Sequence, residues 1–201
     1  MTQSRPDPES TRNRILDAAL NVFSRKGYYD TKLDEIVAES TTSKGSIYFH
    51  FPNKEQLFLA LVDQFADLLE RRVTEAIAQE TGMIRVRIAL ETVIATFSKY
   101  RRPAKILLVQ AVGLGAPFES KRNAVTDRFA QMIAGYLQEA VDAGDIAPVD
   151  TEVVSYAWMG AIYNVIIRWV YTGEPEPPRI MEGLLPLLLR SVGYEEGIGE
   201  R

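Results

Sequence analysis

The stretch from Thr31 to Lys54 constrains the fold of this 201-residue chain more than any other segment. It contains two short segments in which apolar residues recur at helical spacing, separated by a polar break. Two short helices that close over one small core in this way form a helix-turn-helix, whose second helix offers its outer face to a major groove of DNA. The apolar positions that would face this core are Leu33, Ile36, Val37, Ile47, Tyr48 and Phe51.

The second half of this stretch has a composition that favours an anionic partner. No acidic residue occurs from Ser40 to Lys54, while Lys44, His50 and Lys54 supply donors and a Ser/Thr cluster supplies hydroxyls. A face without acids and rich in short donors suits a phosphate backbone. The segment therefore predicts a surface that binds double-stranded DNA.

Composition places the chain among ordinary globular proteins of one or two domains, since 46% of its residues are hydrophobic and 25% are charged. There is no cysteine, which excludes disulfides and thiolate sites and is compatible with the cytoplasm, the location we predict. The N-terminus lacks a signal pattern. The most apolar run, Val153 to Val170, is interrupted by Ser155, Asn164 and Arg168, so we predict no membrane partner.

Net charge argues against a wholly basic nucleic-acid binder, because the formal charge is −4. Residues 1–54 contain eight Lys/Arg and seven Asp/Glu, a balance of +1. Residues 55–201 contain fifteen and twenty, a balance of −5, and the two parts sum to −4. Any contact with DNA must therefore come from a local face.

Helical periodicity continues through the rest of the chain without a convincing strand, which predicts an all-α fold of about nine helices. The expected N-caps are Thr31, Asn53 and Asp150. A kink is expected at Pro186, and Pro175, Pro177 and Pro178 are expected to form a rigid link. In chain order, the helices are predicted near residues 8–26, 31–40, 43–49, 53–82, 83–100, 103–112, 118–143, 151–171 and 179–192.

The segment Ser43 to Glu55 reads S-K-G-S-I-Y-F-H-F-P-N-K-E and resembles S-K-G-T-L-Y-x-H-F-x-S-K-E of the TetR/AcrR-type bacterial transcriptional regulators. Upstream, Arg14 to Tyr28 is similar to the first helix of that family. The resemblance implies an all-helical homodimer. Each subunit would have an N-terminal three-helix helix-turn-helix domain, residues 1–54, and a larger ligand-binding and dimerisation domain, residues 55–201.

One departure from the family pattern falls in the turn between the two short helices. This chain has Ser40-Thr41-Thr42 where the family usually has Ala-Gly-Val. Glycine at the middle position permits a positive φ at little cost, whereas the β-branched Thr41 does so poorly. The turn therefore takes another geometry or carries strain.

The candidate DNA contacts divide into base readers and phosphate contacts. Lys44, Ser46 and Thr42 are candidates for base edges, and Gly45 would let the helix approach closely. Ser43 would cap the helix and leave its N–H groups near phosphate, or act as a cap only. The predicted DNA-binding set is Thr31, Thr42, Ser43, Lys44, Gly45, Ser46, Tyr48, His50 and Lys54.

Three of the phosphate candidates have a structural alternative. Tyr48 would direct its hydroxyl to phosphate with its ring against the domain core, or serve packing alone. Lys54 would contact the backbone or remain a solvated surface lysine. His50 is the only histidine, which makes a phosphate contact or solvent exposure more plausible than a metal or acid–base role. We predict no metal site and no cofactor.

The larger domain carries the predicted effector pocket and dimer interface. An apolar pocket with few polar groups suits a hydrophobic or amphipathic effector, and fatty acyl compounds are one option. The alternative is a core or surface position for each pocket residue, and ordinary core packing within one chain for the interface residues. The predicted pocket residues are Phe65, Leu68, Phe97, Tyr100, Gln110, Phe118, Arg122, Trp158 and Asn164, and the predicted interface residues are Trp158, Ala161, Val165, Trp169, Leu184 and Leu188.

The sequence thus predicts a ligand-responsive transcriptional repressor that binds a near-palindromic operator as a dimer. Activation of transcription by the same domain stays open. The alternative is a helical homodimeric module that binds small molecules or proteins and has a degenerate DNA-binding domain. An enzyme is not expected, because the sequence contains no cysteine, one histidine, no glycine-rich phosphate loop and no metal-ligand spacing.

Overall fold

The computed structural model describes residues 8–105, 108 and 115–194. Within these residues the chain forms helices and no strand, so the predicted all-α fold is confirmed. The nine helices are α1 (Pro8–Lys26), α2 (Leu33–Ser40), α3 (Lys44–His50), α4 (Lys54–Ile77), α5 (Ile84–Lys99), α6 (Arg101–Lys105), α7 (Ala116–Ala143), α8 (Thr151–Thr172) and α9 (Pro177–Ser191).

The chain divides into two compact units. The first comprises residues up to Phe65 together with residues 102–118, and the second comprises residues 66–101 and 119 onward. The first unit extends past residue 54 because Leu57, Phe58 and Leu61, in the first turns of α4, are buried in its core. The domain boundary predicted after residue 54 stays a prediction.

The core of the first unit forms from the apolar stripe of α1 and the inner faces of α2, α3 and the start of α4. Ile15, Leu16 and Phe23 are completely buried. The Phe23 ring meets the Phe58 ring edge-on at 5.5 Å, and the Tyr28 ring meets it at 5.0 Å. Each such side chain contributes about 1.5–3 kcal/mol on burial, so this cluster holds the short helices α2 and α3 in place.

The predicted N-caps Asn53 and Asp150 are confirmed. The Asn53 side chain accepts a hydrogen bond from the Gln56 N–H at 2.8 Å, and the Asp150 side chain accepts one from the Val153 N–H at 3.1 Å. The prediction for Thr31 is wrong. Lys32 is the N-cap of α2, and the buried Thr31 hydroxyl donates to the Gly27 carbonyl at 2.6 Å, because that carbonyl lies at the end of α1 and needs a donor.

The turn between α2 and α3 places the β-branched Thr41 in a left-handed conformation, which is unfavourable for such a residue. Thr41 lies in the left-handed region at φ 52° and ψ 31°, and it is the one non-glycine residue with positive φ in the described part of the chain. This conformation costs an L-residue with a Cβ about 1–2 kcal/mol. The turn therefore keeps the conformation that glycine favours and carries strain.

The second unit is built around contacts of α5, α8 and α9. Trp158 of α8 and Leu188 of α9 are buried within it, and the Trp158 indole N–H donates to the Ser191 hydroxyl at 2.9 Å. Pro177 and Pro178 do not form a link ahead of the helix but begin α9, since proline lacks only an N–H that the first helical turn leaves unpaired. Pro186 lies inside α9, and the kink there stays a prediction.

Candidate nucleic-acid interface

Helix α3 is short and closed at both ends by local hydrogen bonds. The Ser43 hydroxyl accepts from the Ser46 N–H at 3.1 Å, which confirms its predicted role as a cap. At the other end, the Phe51 N–H donates to the Ile47 carbonyl at 2.8 Å. These bonds fix seven residues as a helix that would be marginal alone.

One face of α3 is buried in the core and the opposite face is exposed to solvent. Ile47 is completely buried. Because successive residues of an α-helix are rotated by about 100°, Gly45 and Phe49 lie opposite Ile47, one turn apart. Phe49 is 81% exposed. Polar groups flank this outer strip: Lys44 and Tyr48 lie on one side, and Ser46 and His50 lie on the other.

Tyr48 does not have the orientation predicted for its ring. The side chain is 46% exposed and does not belong to the core cluster of the first unit. Its position on the helix is about 100° from that of Ile47, so the ring lies at the edge of the core face. Its hydroxyl remains a candidate for phosphate, and His50, half-buried with its ring 5.1 Å from the Phe49 ring, remains one as well.

The segment from Ser40 to Lys54 contains no acidic residue, but an acidic side chain from α2 lies against it in the fold. The Lys44 ammonium pairs with the Asp34 carboxylate of α2 at 2.7 Å, and both side chains are exposed. The hydrogen bond that Lys44 donates to Asp34, and then the negative charge of Asp34, raise the pKa of Lys44 above the usual lysine value. Lys44 must therefore share or leave this partner to contact DNA, and exposed pairs of this kind cost about 0–1 kcal/mol to break.

Lys54 has a structural role that neither predicted alternative included. Its ammonium donates to the carbonyls of Tyr28, Tyr29 and Thr31 at 2.8, 3.3 and 3.0 Å. It also lies 4.4 Å from the centre of the Tyr28 ring. Since an ammonium has three donors, all are used by the loop between α1 and α2. Partial burial lowers the pKa of Lys54, and we infer that it fixes this loop.

Two further predicted DNA contacts direct their hydroxyls inward. Thr31 is buried and bonded to Gly27, as described above. The Thr42 hydroxyl lies 2.7 Å from the hydroxyl of Ser40. Ser40 is buried and gives its single proton to the Val37 carbonyl at 3.1 Å, so Thr42 is the donor in this pair. The geometry therefore gives Thr31 and Thr42 roles in the turns and not on the DNA-facing surface.

Two exposed residues of the first unit were missed from the sequence. Phe49 sits four residues after Gly45 and two after the core residue Ile47, so a helical projection of α3 would have identified its outward position. Lys32 is exposed at the start of α2, where Glu35 accepts its backbone N–H at 3.0 Å. The sequence signal for Lys32 is its position directly after Thr31, the predicted cap.

The predicted dimer residues mostly face the interior of their own subunit. Trp158, Trp169, Leu184 and Leu188 are buried, so they do not offer surface to a second chain; Ala161 and Val165 are half-buried. The reason is that α8 and α9 pack on each other and on α5. The exposed large apolar residues of these two helices are instead Val153, Tyr156, Tyr171 and Leu187.

Helix α8 has buried residues along its length and exposed residues on its other side. Among the described residues it is the one helix long and apolar enough to cross a membrane by length and composition alone, a test that core helices of soluble proteins also pass. Only 28% of its most apolar window is buried. The expectation of no membrane partner stays a prediction.

Several of the residues predicted for the effector pocket have other contacts in the structure. Phe118 is buried in the core of the first unit, where Phe65 also packs. Arg122 is exposed and paired with Glu119. The exposed Asn164 amide donates back to the Gly160 carbonyl of its own helix at 2.8 Å. Gln110 lies outside the described residues, and Leu68, Phe97, Tyr100 and Trp158 stay predictions as pocket residues.

No group of three or more acidic or histidine side chains within the described ranges is arranged to hold a metal ion. In the second unit, the Thr96 hydroxyl is completely buried and has no hydrogen-bond partner in the described structure. A buried hydroxyl without a partner costs about 1–3 kcal/mol, so a polar group that reached it would be stabilised.

Comparison with known proteins relates this geometry to function. A model of bacterial regulatory proteins of the tetR family matches residues 15–61, which include all of α2 and α3. The HTH-type transcriptional regulator SrpR of Pseudomonas putida is 29% identical over 168 residues, which are 83% of this chain and 76% of SrpR. The relatives found in this way are named as transcriptional regulators and not as enzymes.

Solved structures extend the likeness beyond the matched segment. A TetR-family transcriptional regulator from Syntrophomonas wolfei has a TM-score of 0.83 at 20% identity over 95% of this chain and 100% of its own. FadR from Bacillus subtilis in complex with stearoyl-CoA has a TM-score of 0.77 at 19% identity, over 88% and 96%. AibR in complex with isovaleryl coenzyme A and operator DNA has a TM-score of 0.67 at 23% identity, over 88% of this chain and 97% of its own.

At these identities the structural likeness establishes the fold, and the family match covers the segment that forms the helix-turn-helix. The curated relatives extend over most of the chain. Residues 15–61 therefore match the helix-turn-helix segment of the tetR family of bacterial regulatory proteins, and the chain is similar over most of its length to a helix-turn-helix transcriptional regulator.

Proposed function

We propose that this regulator is a repressor that binds a near-palindromic operator as a homodimer and is released by an amphipathic small molecule. The observation that carries the proposal is the free outer face of α3, a capped helix whose inner side is fixed in the core by Ile47. A recognition helix must be held rigidly on one side and be open on the other, and α3 satisfies both conditions.

The proposed DNA contacts come from α3 alone. Lys44 and Ser46 are proposed to read base edges, and Gly45 allows the backbone to approach. Tyr48 and His50 are proposed to contact phosphate from the two flanks of the helix. So few base contacts give little discrimination, because a good bidentate contact contributes about 1–3 kcal/mol. A second copy on a symmetric site doubles the number of contacts.

The second unit offers a surface for that second copy. Val153 and Tyr156 near the start of α8, Tyr171 near its end and Leu187 of α9 are exposed. Large contiguous apolar patches mark interaction sites, and we propose that these exposed residues belong to such a patch. Because the dimers of such regulators are two-fold symmetric, the two copies of α3 would lie one helical turn of DNA apart or a multiple of it.

We propose an acyl-coenzyme A as the effector. The support comes from FadR and AibR, whose structures contain stearoyl-CoA and isovaleryl coenzyme A and share this fold. The unpartnered Thr96 hydroxyl within an apolar unit gives one polar position that an acyl carbonyl would satisfy. The effector would favour a state of the dimer that binds DNA less well, and it can act only through its difference in affinity for the two states.

The ion pair between Lys44 and Asp34 supplies the test of the DNA-binding role. The wild type and two variants are titrated with a duplex selected from a random pool and with an unrelated duplex, at one salt concentration. Lys44→Met is expected to weaken operator binding about tenfold and the unrelated duplex less. Asp34→Asn is expected to strengthen both, because it removes a negative charge beside the DNA and frees the lysine.

A matched control comes from the second unit. Glu91 forms an exposed pair with Arg87 at 4.0 Å, so Glu91→Gln removes an equivalent charge away from α3 and is expected to leave both affinities unchanged. Equal losses of Lys44→Met on both duplexes would reject a base-reading role. The effector proposal is tested separately: stearoyl-CoA or isovaleryl-CoA should release wild-type protein from the operator, and free coenzyme A should not.

The alternative function, a homodimeric binding module with a degenerate DNA-binding domain, is favoured by one observation. Two of the cations predicted for DNA, Lys44 and Lys54, are engaged within the chain. In that case the folded dimer would show no salt-dependent shift of any selected duplex, while still binding a small molecule or protein.

A further inference from the structure

We propose that Phe49 reads the C5 methyl group of a thymine in each half-site, an inference that rests on the proposed operator binding. Among the large apolar residues of the described chain, Phe49 has the most exposed side chain, at 81%. It lies in the last turn of a helix otherwise occupied by polar side chains and glycine on its open sides. An exposed aromatic ring at this position has no role in the packing of the subunit.

The ring is directed away from the protein body. On α3 it lies opposite Ile47 and in line with Gly45, one turn earlier. A Cβ built on Gly45 would meet nothing closer than the Ser43 hydroxyl at 3.9 Å. Among the described residues, the Phe49 ring contacts one other ring, that of its sequence neighbour His50. The two rings are T-shaped, with centroids 5.1 Å apart. The outermost strip of α3 is therefore an open glycine followed by an open phenyl ring.

The chemistry of this strip selects its partner. A phenyl ring has no donor for a phosphate and no acceptor for an amino group. In the major groove, the apolar feature that base pairs present is the thymine C5 methyl, and apolar side chains including phenylalanine contact it. Lys44 and Ser46 would read polar edges toward the N-terminal end of α3, while Phe49, about 7.5 Å further along the axis than Lys44 at 1.5 Å per residue, would read a methyl group.

The experiment removes that methyl group alone. An operator is selected with wild-type protein, and each thymine is then replaced in turn by deoxyuridine, which lacks the C5 methyl and keeps every hydrogen-bonding group. Dissociation constants are measured at fixed salt. One symmetry-related thymine pair is expected to respond, with affinity falling about fourfold for each methyl lost, the value of one buried carbon group.

A double-mutant cycle between protein and DNA then assigns the effect. Phe49→Ala is expected to bind the thymine operator more weakly than wild type and to lose its response to deoxyuridine at that pair, with its response at other positions unchanged. Phe49→Leu, which keeps an apolar side chain, should retain most of the response. Because the ring is exposed, the thermal midpoint of both variants should match that of wild type.

Two outcomes would overturn the inference while the proposed function stands: wild type responds to deoxyuridine at no thymine, or Phe49→Ala responds at every position as wild type does. A uniform loss of affinity for operator and unrelated duplex alike would assign Phe49 to the sugar-phosphate backbone and also overturn it. Failure of the folded wild-type protein to select any duplex would instead reject the proposed function.

Discussion

Thr41 shows how one residue can keep a motif while departing from its usual sequence. The left-handed conformation at φ 52° is the one that glycine adopts without cost. The Thr41 hydroxyl donates to the Ser40 carbonyl at 2.7 Å, and the paired hydroxyls of Ser40 and Thr42 lie beside it. These bonds offset part of the strain, so the turn keeps its geometry although its sequence is unfavourable.

Replacing Thr41 with glycine is expected to stabilise the first unit by about 1 kcal/mol, because the left-handed strain is removed. Thr41→Ala is the matched control, since it loses the same hydroxyl but keeps the Cβ. Urea denaturation followed by hydrogen exchange at the amides of α1 to α3 measures both. A glycine variant no more stable than the alanine variant would show that the backbone carries no strain here.

Lys54→Met tests whether this lysine fixes the loop or contacts DNA. The methionine keeps an apolar stem but leaves three carbonyls without their donor, so the first unit is expected to lose about 1–3 kcal/mol of stability. The slope of log affinity against log salt should stay unchanged, because no phosphate contact is removed. A stable variant whose slope falls by about 1 would assign Lys54 to the DNA backbone instead.

Local chemistry made some of these residues predictable. The caps at Ser43, Asn53 and Asp150 depend on neighbours three residues away, and sequence spacing identified them. The partners of Lys44 and Lys54 come from α2 and from the loop before it, and their distances depend on how the helices pack. Sequence spacing contains no such information, and both lysines were therefore assigned without their partners.

At the scale of the element, the sequence of α3 leaves its outer face open at the expense of helix stability. Glycine near the start of so short a helix lowers helix propensity, and no neighbour in the folded chain requires it. This combination indicates a steric demand from outside the subunit, and a DNA major groove is the demand that the proposed function supplies.

Gly45→Ala separates the two effects. The variant is expected to gain up to about 1 kcal/mol of stability, because alanine is the better helix former and there is room for its methyl group. Operator affinity should nevertheless fall about tenfold, because the methyl group lies on the outermost strip and holds the helix away from the base edges. Thermal denaturation and operator titration of the same preparation measure both. Undiminished operator binding would contradict the proposed close approach.

The order of the helices was predictable because glycine and proline residues end them. Which side of each helix is buried was not predictable. Periodicity identified α8 and α9 as helices. It could not show that Trp158, Trp169, Leu184 and Leu188 face their own subunit. Only the packing of α8, α9 and α5 on one another divides their apolar residues between a core side and an open side.

At the scale of the whole molecule, the chain has one unit with an open α3 and a second unit in which α8 and α9 each have exposed apolar residues. We propose the exposed apolar residues of α8 and α9, and not the buried ones predicted from the sequence, as the surface that a second copy covers. Each chain offers one short reading helix, so a lone subunit would discriminate poorly among DNA sequences. Pairing of subunits is thus the central claim on which specific operator binding depends.

Native mass spectrometry of the protein with a duplex selected from a random pool tests this claim most directly. The selected sequence should be a near-palindrome whose half-sites lie one helical turn of DNA, or a multiple of it, apart. The complex should contain an even number of protein chains. A duplex with one half-site destroyed should lose nearly all binding. A complex with a single chain, or selection of a sequence without two-fold symmetry, would contradict the account.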